Sequence, residues 1–289
     1  MLCFNMRFDS LNFGERLLRY LLAALFVLLV GCAPPANEVV RLSGAYQQGG
    51  LIVGTALPQA QVRLNGERVK VYDDGRFLLG FDRDAAPSHS LHIRWPTGRS
   101  ETLTLPISAQ EYRVQNITNV DQSRVTPPQE VLDRIAKESQ ETSLARSIQT
   151  DKPFFDAGWI WPVSGPVTGV YGSARIYNGT PGAPHWGIDI AAPTGTPILA
   201  PSAGLVRLVH QDNYFAGGLV ILDHGYGLTS SFLHMSRIDV RPGDLVQRGA
   251  VLGAVGSTGR STGPHLDWRM NLGPDTRLDV ALLPLPPGP

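Results

Sequence analysis

Between Val39 and Val120 apolar and polar residues alternate in short runs broken by turn-formers, which is the period of half-buried strands. Within Val62–Phe81 an Asn65-Gly66 pair and an Asp74-Gly75 pair lie between alternating apolar residues. Such pairs tolerate positive φ and mark hairpins, so the segment predicts a β-meander inside a small antiparallel β-sandwich. The pattern then changes. Thr126 can cap a helix, Pro127 suits its first position and Gln129 completes a box-like start. Glu130/Arg134 and Asp133/Lys137 are favourable i,i+4 pairs. The stretch to about Thr150 is mostly polar and predicts a solvated linker helix. From Phe154 to Leu285 the chain reads as strands again, with Thr196–Val206, Leu219–Asp223 and Ala250–Val255 as clear runs. The fold class is therefore mainly β: an N-terminal small antiparallel β-sandwich, a linker helix, and a C-terminal antiparallel β-sheet domain.

One apolar run stands apart. Tyr20–Val30 follows Arg16 and Arg19 and ends in Gly31, Cys32, Ala33 and two prolines. It is too short to cross ~30 Å of hydrocarbon at ~1.5 Å per residue, and reads as an export signal. The expected organisation is a signal peptide over 1–31, a tether over 32–38, a sandwich over 39–120, a linker with a helix over 121–153, a sheet domain over 154–285 and a tail over 286–289.

Composition narrows the function classes. Lys+Arg and Asp+Glu are both 25, which argues against a nucleic-acid partner held by bulk positive charge. The basic residues are almost all arginine, scattered without a stripe. No glycine-rich phosphate loop or dinucleotide fingerprint follows a strand. The only cysteines are Cys3 and Cys32. Leu29-Val30-Gly31-Cys32 resembles a bacterial lipobox, which implies lipidation at Cys32 and a membrane anchor through the N-terminal lipid. Ala33, in place of aspartate, implies by the same resemblance the periplasmic face of the outer membrane. A chain processed in this way keeps no free thiol, so cysteine chemistry is excluded. The sandwich resembles bacterial immunoglobulin-like modules.

Candidate chemistry lies in the histidines. Five of the seven fall between 185 and 265. In His185-Trp-Gly-Ile-Asp189, alternate residues of an extended segment share a face, so the imidazole and the carboxylate can meet across Gly187. A metal site and a hydrogen-bonded His–Asp pair fit that spacing equally. In Gly263-Pro-His265-Leu-Asp267, His265 and Asp267 again share a face. His234, in Ser231-Phe-Leu-His-Met-Ser236, taken alone reads as a core histidine. His89 and His92 lack acidic or histidine partners at ligand spacing and read as surface or packing residues. His224 reads as structural, and His210 has no assignable role.

Together, and in that order, HWGID, SSFLHMS and TGPHLD resemble the lysostaphin/LytM-type zinc metallopeptidases. The framing phrases at 192–197, 223–227 and 241–249 agree, so the resemblance spans roughly Trp161 to Asp279. It implies a LytM-type antiparallel sheet, hydrolysis of peptide cross-links in peptidoglycan, one Zn2+ held by His185, Asp189 and the position of Asp267, and catalytic roles for His234 and His265. That family carries histidine where Asp267 stands. A carboxylate there still binds metal, but the ligand charge becomes −2 rather than −1. The expected centre is a softer Lewis acid, more tolerant of a harder ion such as Mn2+. The competing function is a non-enzymatic regulator of the same fold that binds and activates a cell-wall amidase. An envelope protein is a further candidate partner, through the N-terminal domain.

Overall fold

The structure is a computed structural model and describes residues 38–289. The expected signal peptide, the expected lipidation position Cys32 and most of the expected tether lie outside the described residues. Among the described residues no helix is long and apolar enough to cross a membrane.

Two small sheets form the N-terminal part. One has the order β1-β2-β5, from β1 (Arg41–Gly44), β2 (Leu51–Thr55) and β5 (Arg76–Gly80). The other has the order β4-β3-β6-β7, from β3 (Gln61–Leu64), β4 (Glu67–Val69), β6 (Ser88–Arg94) and β7 (Ser100–Pro106). Ile52, Phe77 and Leu79 of the first meet Val62, Leu91, Ile93 and Leu105 of the second in one buried cluster. The Asn65-Gly66 turn is a hairpin between β3 and β4, with both residues at positive φ. The second turn corrects the meander. Asp74-Gly75 carries the chain out of one sheet and into the other, because β5 pairs β2 and not β4.

The next strand, β8 (Val114–Ile117), belongs to neither of these sheets. It runs parallel to β10 (Ala174–Tyr177), which also pairs β11 (Thr180–Pro181). The helix also departs from the sequence reading. Thr126 ends a short helix, Gln122–Val125, and the long helix runs Leu132–Ser147 after a tight turn over Gln129–Val131. Its charged pairs are Arg134–Glu138 and Lys137–Glu141, one turn later than predicted. Nor is it a free linker: Ala145 packs with Ala216, Leu219, Ile221 and Leu233 of the main sheet.

That sheet has the order β18-β14-β15-β16-β20-β12-β9, with β21 on β20. Its strands are β9 (Val167–Gly169), β12 (Gly187–Ala191), β14 (Gly204–Asn213), β15 (Gly217–Gly225), β16 (Leu228–Met235), β18 (Leu245–Val246), β20 (His265–Leu272) and β21 (Thr276–Leu278). The expected strand over 196–206 is split: β13 (Pro197–Leu199) leaves to join β17 (Arg237–Ile238) and β19 (Val251–Ala254), and β14 restarts at Gly204 beyond Pro201.

Strand alternation gives the main sheet two chemistries. Ile188, Ile190, Val220, Leu222, Phe232, Leu266, Trp268 and Met270 point into the main core, which also takes in Ile198 and Leu252 of the β13-β19-β17 sheet and Tyr72 and Leu78 of the sandwich. The intervening residues, among them Asp189, Ser231, His265, Asp267 and Arg269, occupy the other face. Residues from Val40 onward form one compact unit. Tyr72 stacks on Tyr226 at 3.5 Å between ring centroids, and the Tyr226 hydroxyl donates to Asp74.

Candidate metal centre

The register of β12 on β20 sets Asp189 directly opposite Asp267, Ala191 opposite His265 and Gly187 opposite Arg269. Two buried carboxylates facing each other across a ladder repel and need positive charge. Arginines supply it. Arg175 of β10 pairs with Asp189. Arg269 grips Asp267 with Nε at 3.0 Å from Oδ1 and Nη2 at 2.6 Å from Oδ2. Gly187 leaves room for this grip, since a Cβ there would meet the Trp268 carbonyl oxygen at 2.4 Å and Arg269 Cγ at 2.6 Å. Burial alone would raise the Asp267 carboxyl, but Arg269, through charge and hydrogen bonds, and the neighbouring imidazoles together outweigh it and hold the group far below the ordinary carboxylate range. Asp189 is likewise lowered against its burial, by His185 and Arg175, although Asp267 opposes them.

His185 stands just ahead of β12. Its backbone is tied to β10's approach, with N–H donating to Ser173 O and C=O accepting from Gly172 N. Its ring is fully buried. Nε2 lies 3.1 Å from Asp189 Oδ1 and Nδ1 lies 4.0 Å from Asp267 Oδ2. Yet both ring nitrogens and Asp189 Oδ1 are buried with no hydrogen-bond partner. Buried polar atoms are rarely left so. An imidazole nitrogen and a carboxylate oxygen at hydrogen-bond distance but out of alignment are instead disposed to share a third partner. One ligand atom from each of His185, Asp189 and Asp267 can be chosen so that all lie within 4.8 Å of one another. One imidazole and two carboxylates suit a divalent ion, Zn2+ or a harder one. The residues therefore fit a metal, with Asp267 shared between it and Arg269. The arginines also revise the charge expected from sequence. Asp189, Asp267, Arg175 and Arg269 sum to zero, so the −2 of the two carboxylates is already offset before an ion enters.

His265 and His234 stand beside this cluster. His265 opens β20, its Nδ1 is 2.8 Å from the Gly263 carbonyl and its Nε2 is 3.7 Å from Asp189 Oδ1. His234 ends β16, with Nδ1 2.7 Å from the Thr258 carbonyl. A carbonyl only accepts, so each Nδ1 carries a proton. The rings lie 4.8 Å apart. Burial, reinforced by His265, pushes the His234 imidazole down to about 4, so it is neutral at pH 7.

Two cavities flank the cluster. One of about 320 Å3 is bounded by His185, His234 and Asp267 and, facing them, by Glu138, Thr142 and Arg146 of the Leu132–Ser147 helix. The helix is pinned there: Glu138 accepts from the Tyr214 N–H at 2.8 Å and Arg134 pairs with Asp212. The other, about 420 Å3, reaches Asp189 and His265 from the side of β8.

The structure brings the five predicted side chains, His185, Asp189, His234, His265 and Asp267, to one place. His224 is apart from them, bonded to the Ala203 carbonyl and Ser230 Oγ. His210 lies 3.1 Å from Glu141 of the helix. His89 bonds Asn65 and the Ala86 carbonyl at the sandwich surface. The arginines were missed. Arg269 had a legible signal, two residues from Asp267 on the same strand face; Arg175 had none.

The sequence profile described as Peptidase family M23 matches residues 183–278. The chain is 42% identical over 88 residues to the peptidoglycan DD-endopeptidase ShyA of Vibrio cholerae, covering 30% of this chain and 20% of that protein. It is 41% identical over 100 residues to the DD-carboxypeptidase/endopeptidase Mpg of Neisseria meningitidis, covering 34% of this chain and 23% of that protein. The matched region thus spans about a fifth of these curated relatives. A crystal structure from Pseudomonas aeruginosa assigned to peptidase M23 is similar at 32% identity and TM-score 0.60, over 82% of this chain and 94% of that one. A match of that extent cannot be confined to the C-terminal sheet, and takes in part of the N-terminal region.

Proposed function

The chain belongs to peptidase family M23, and from that premise we propose that it is a metal-dependent endopeptidase that hydrolyses peptide cross-links in peptidoglycan. In this reading it is a lipoprotein anchored through Cys32 on the periplasmic face of the outer membrane. His185, Asp189 and Asp267 hold one divalent ion, Zn2+ or a harder one such as Mn2+. The observation that carries the reading is the buried, unbonded group of His185 Nδ1 and Nε2 and Asp189 Oδ1, with Asp267 beside it.

A divalent ion at this cluster supplies Lewis acidity toward the scissile carbonyl and the attacking water. The chain's own residues do the rest. His234, neutral at pH 7 with its proton on Nδ1, presents a free Nε2 that can take a proton from the attacking water, and His265 stands beside it to share the proton transfer. The imidazolium formed then faces the developing oxyanion as a donor and can pass its proton to the leaving amine. The low proton affinity of His234 favours that return. Arg175 and Arg269 hold the two carboxylates in place.

The same arginines favour a second reading. With both carboxylates paired to arginines, the charge of the ligand cluster is offset without an ion, as suits a binding module that activates an amidase. One experiment separates the two. Purified protein is loaded with Zn2+ or Mn2+, its bound metal is counted, and it is incubated with peptidoglycan with and without chelator. The peptidase reading expects about one metal per chain, chelator-sensitive release of un-cross-linked muropeptides, and loss of both in Asp189→Ala. Absence of release under either metal, with stimulation of an added amidase, would establish the regulator.

A further inference from the structure

Five arginines line the cavity under the Leu132–Ser147 helix: Arg146, Arg175, Arg260, Arg269 and Arg277. Asp189 and Asp267 neutralise Arg175 and Arg269. Glu138, also in the wall, is taken by Arg134 and the Tyr214 N–H. Among the described residues no carboxylate lies within ion-pair distance of Arg146, Arg260 or Arg277. Arg146 is the sharpest case. It is only 8% exposed, its Nη2 donates to Ser231 Oγ at 3.0 Å, and its Nε is buried without any acceptor. Arg277 has a single long contact to Asn271 Oδ1 at 3.3 Å. Arg260 is held by the faces of Tyr177 and Phe215, at 4.4 and 4.7 Å from the ring centroids.

Burial of a guanidinium without a carboxylate partner costs stability, and at Arg146 a purely structural wall would be more stable with an apolar residue in its place. Burial, with Arg277 and Arg269 nearby, pushes Arg146 down to about 9, and Arg277 to about 10. Both remain cationic at neutral pH. The three come from a helix, a loop and β21, so only the folded chain assembles them. Guanidinium donors match the planar, two-oxygen geometry of a carboxylate. The cavity holds a peptide residue or two, and its wall also contains His185 and Asp267.

We propose that Arg146 and Arg277, with Arg260, form a subsite for a free carboxylate of the peptide substrate, positioning it beside the metal cluster. This rests on the peptidase reading for the identity of the ligand, but not on catalysis. Arg146 and Arg277 are positioning residues in it.

The test is calorimetric binding to the full-length protein in chelator. Three probes are used: a peptidoglycan tetrapeptide with free carboxylates, the same peptide with its carboxylates amidated, and inorganic phosphate. The free acid should bind roughly tenfold or more tightly than the amide. Arg146→Gln and Arg277→Gln should each remove most of that preference, by weakening binding of the acid much more than binding of the amide. Arg146→Gln should also unfold at a temperature no lower than the parent, which a structural role for Arg146 would not allow. If it does not fold, Arg277→Gln and Arg146→Lys carry the test. Equal binding of acid and amide by the parent would overturn the subsite, as would no peptide binding at all. Phosphate binding as tightly as the acid would overturn its assignment to a substrate carboxylate. Cleavage without acid preference removes the subsite and leaves the peptidase reading; acid preference without cleavage under any metal does the reverse.

Discussion

At φ +65° His234 is a non-glycine residue in the left-handed region, where a Cβ costs about 1–2 kcal/mol. The backbone there turns out of β16, with its N–H on the Ala216 carbonyl, and this aims the ring at His265. Strain and the proposed chemistry sit in one residue, and substitution can separate them. His234→Ala keeps the strained Cβ and loses the imidazole, whereas His234→Gly loses both. The glycine variant should therefore be more stable than the alanine variant by about 1 kcal/mol in denaturant unfolding. Both should lose about 10²–10⁴ in hydrolysis rate while still binding metal. An alanine variant as stable as the glycine variant would show that the turn carries no strain. The strain was not legible in the sequence, because φ is set by where β16 must end and by what it packs against. That His265 and Asp267 share a face was legible, because residues two apart on a strand do so whatever the tertiary fold, whereas His234 read as a core histidine and entered the site only through the family resemblance.

Strand pairing decides what those faces meet. Asp189 opposite Asp267 is a consequence of register, and register also puts Gly187 opposite Arg269. Gly187 is not required by its φ; it is required by the space that the Arg269 stem and the Trp268 carbonyl occupy. Gly187→Ala should therefore force β12 and β20 apart or dislodge Arg269, costing about 1–3 kcal/mol. Gly263→Ala is the control, since a Cβ there meets nothing within 4 Å and its φ is not in the left-handed region. It should change the unfolding free energy by less than about 0.5 kcal/mol. Equal effects of the two substitutions would refute the packing argument. The helix shows the limit of pattern reading at this scale. Its polar sequence gave the right element and the wrong environment. Arg146, Glu138 and Arg134 are buried or bonded against the main sheet, and hydrophobic periodicity reports only apolar contact. The 74–75 turn failed for a related reason: a tight turn specifies a reversal, not which sheet receives the next strand.

Across the whole molecule the two sheet systems share a core, so acid sensitivity of a few buried groups becomes sensitivity of the entire unit. His224 is the clearest such group. It is fully buried, bonded to the Ala203 carbonyl and Ser230 Oγ, and edge-on to Trp159, which joins Tyr72 and Leu78 of the sandwich in the main core. Burial pushes its imidazole down to about 4, with the Ala203 bond and Asp223 opposing. In the unfolded chain it titrates near 6.5. Between those values the unfolded state binds a proton that the folded state does not, so stability rises with pH across the window and falls on acidification. Integrated over it, His224 accounts for on the order of 3 kcal/mol. His234 is lowered to about 4 as well and adds a second proton to the slope. The arginine-held Asp267 works in a separate, lower window: its stabilisation is present above the ordinary carboxylate value and is lost as pH falls below it. Denaturant unfolding in chelator at several pH values between about 4.5 and 7.5 should give a slope of up to two protons for the parent and about one for His224→Gln. Parallel slopes for the two proteins would mean that His224 takes up its proton without leaving the fold, and the shared core would then not be where acid first acts.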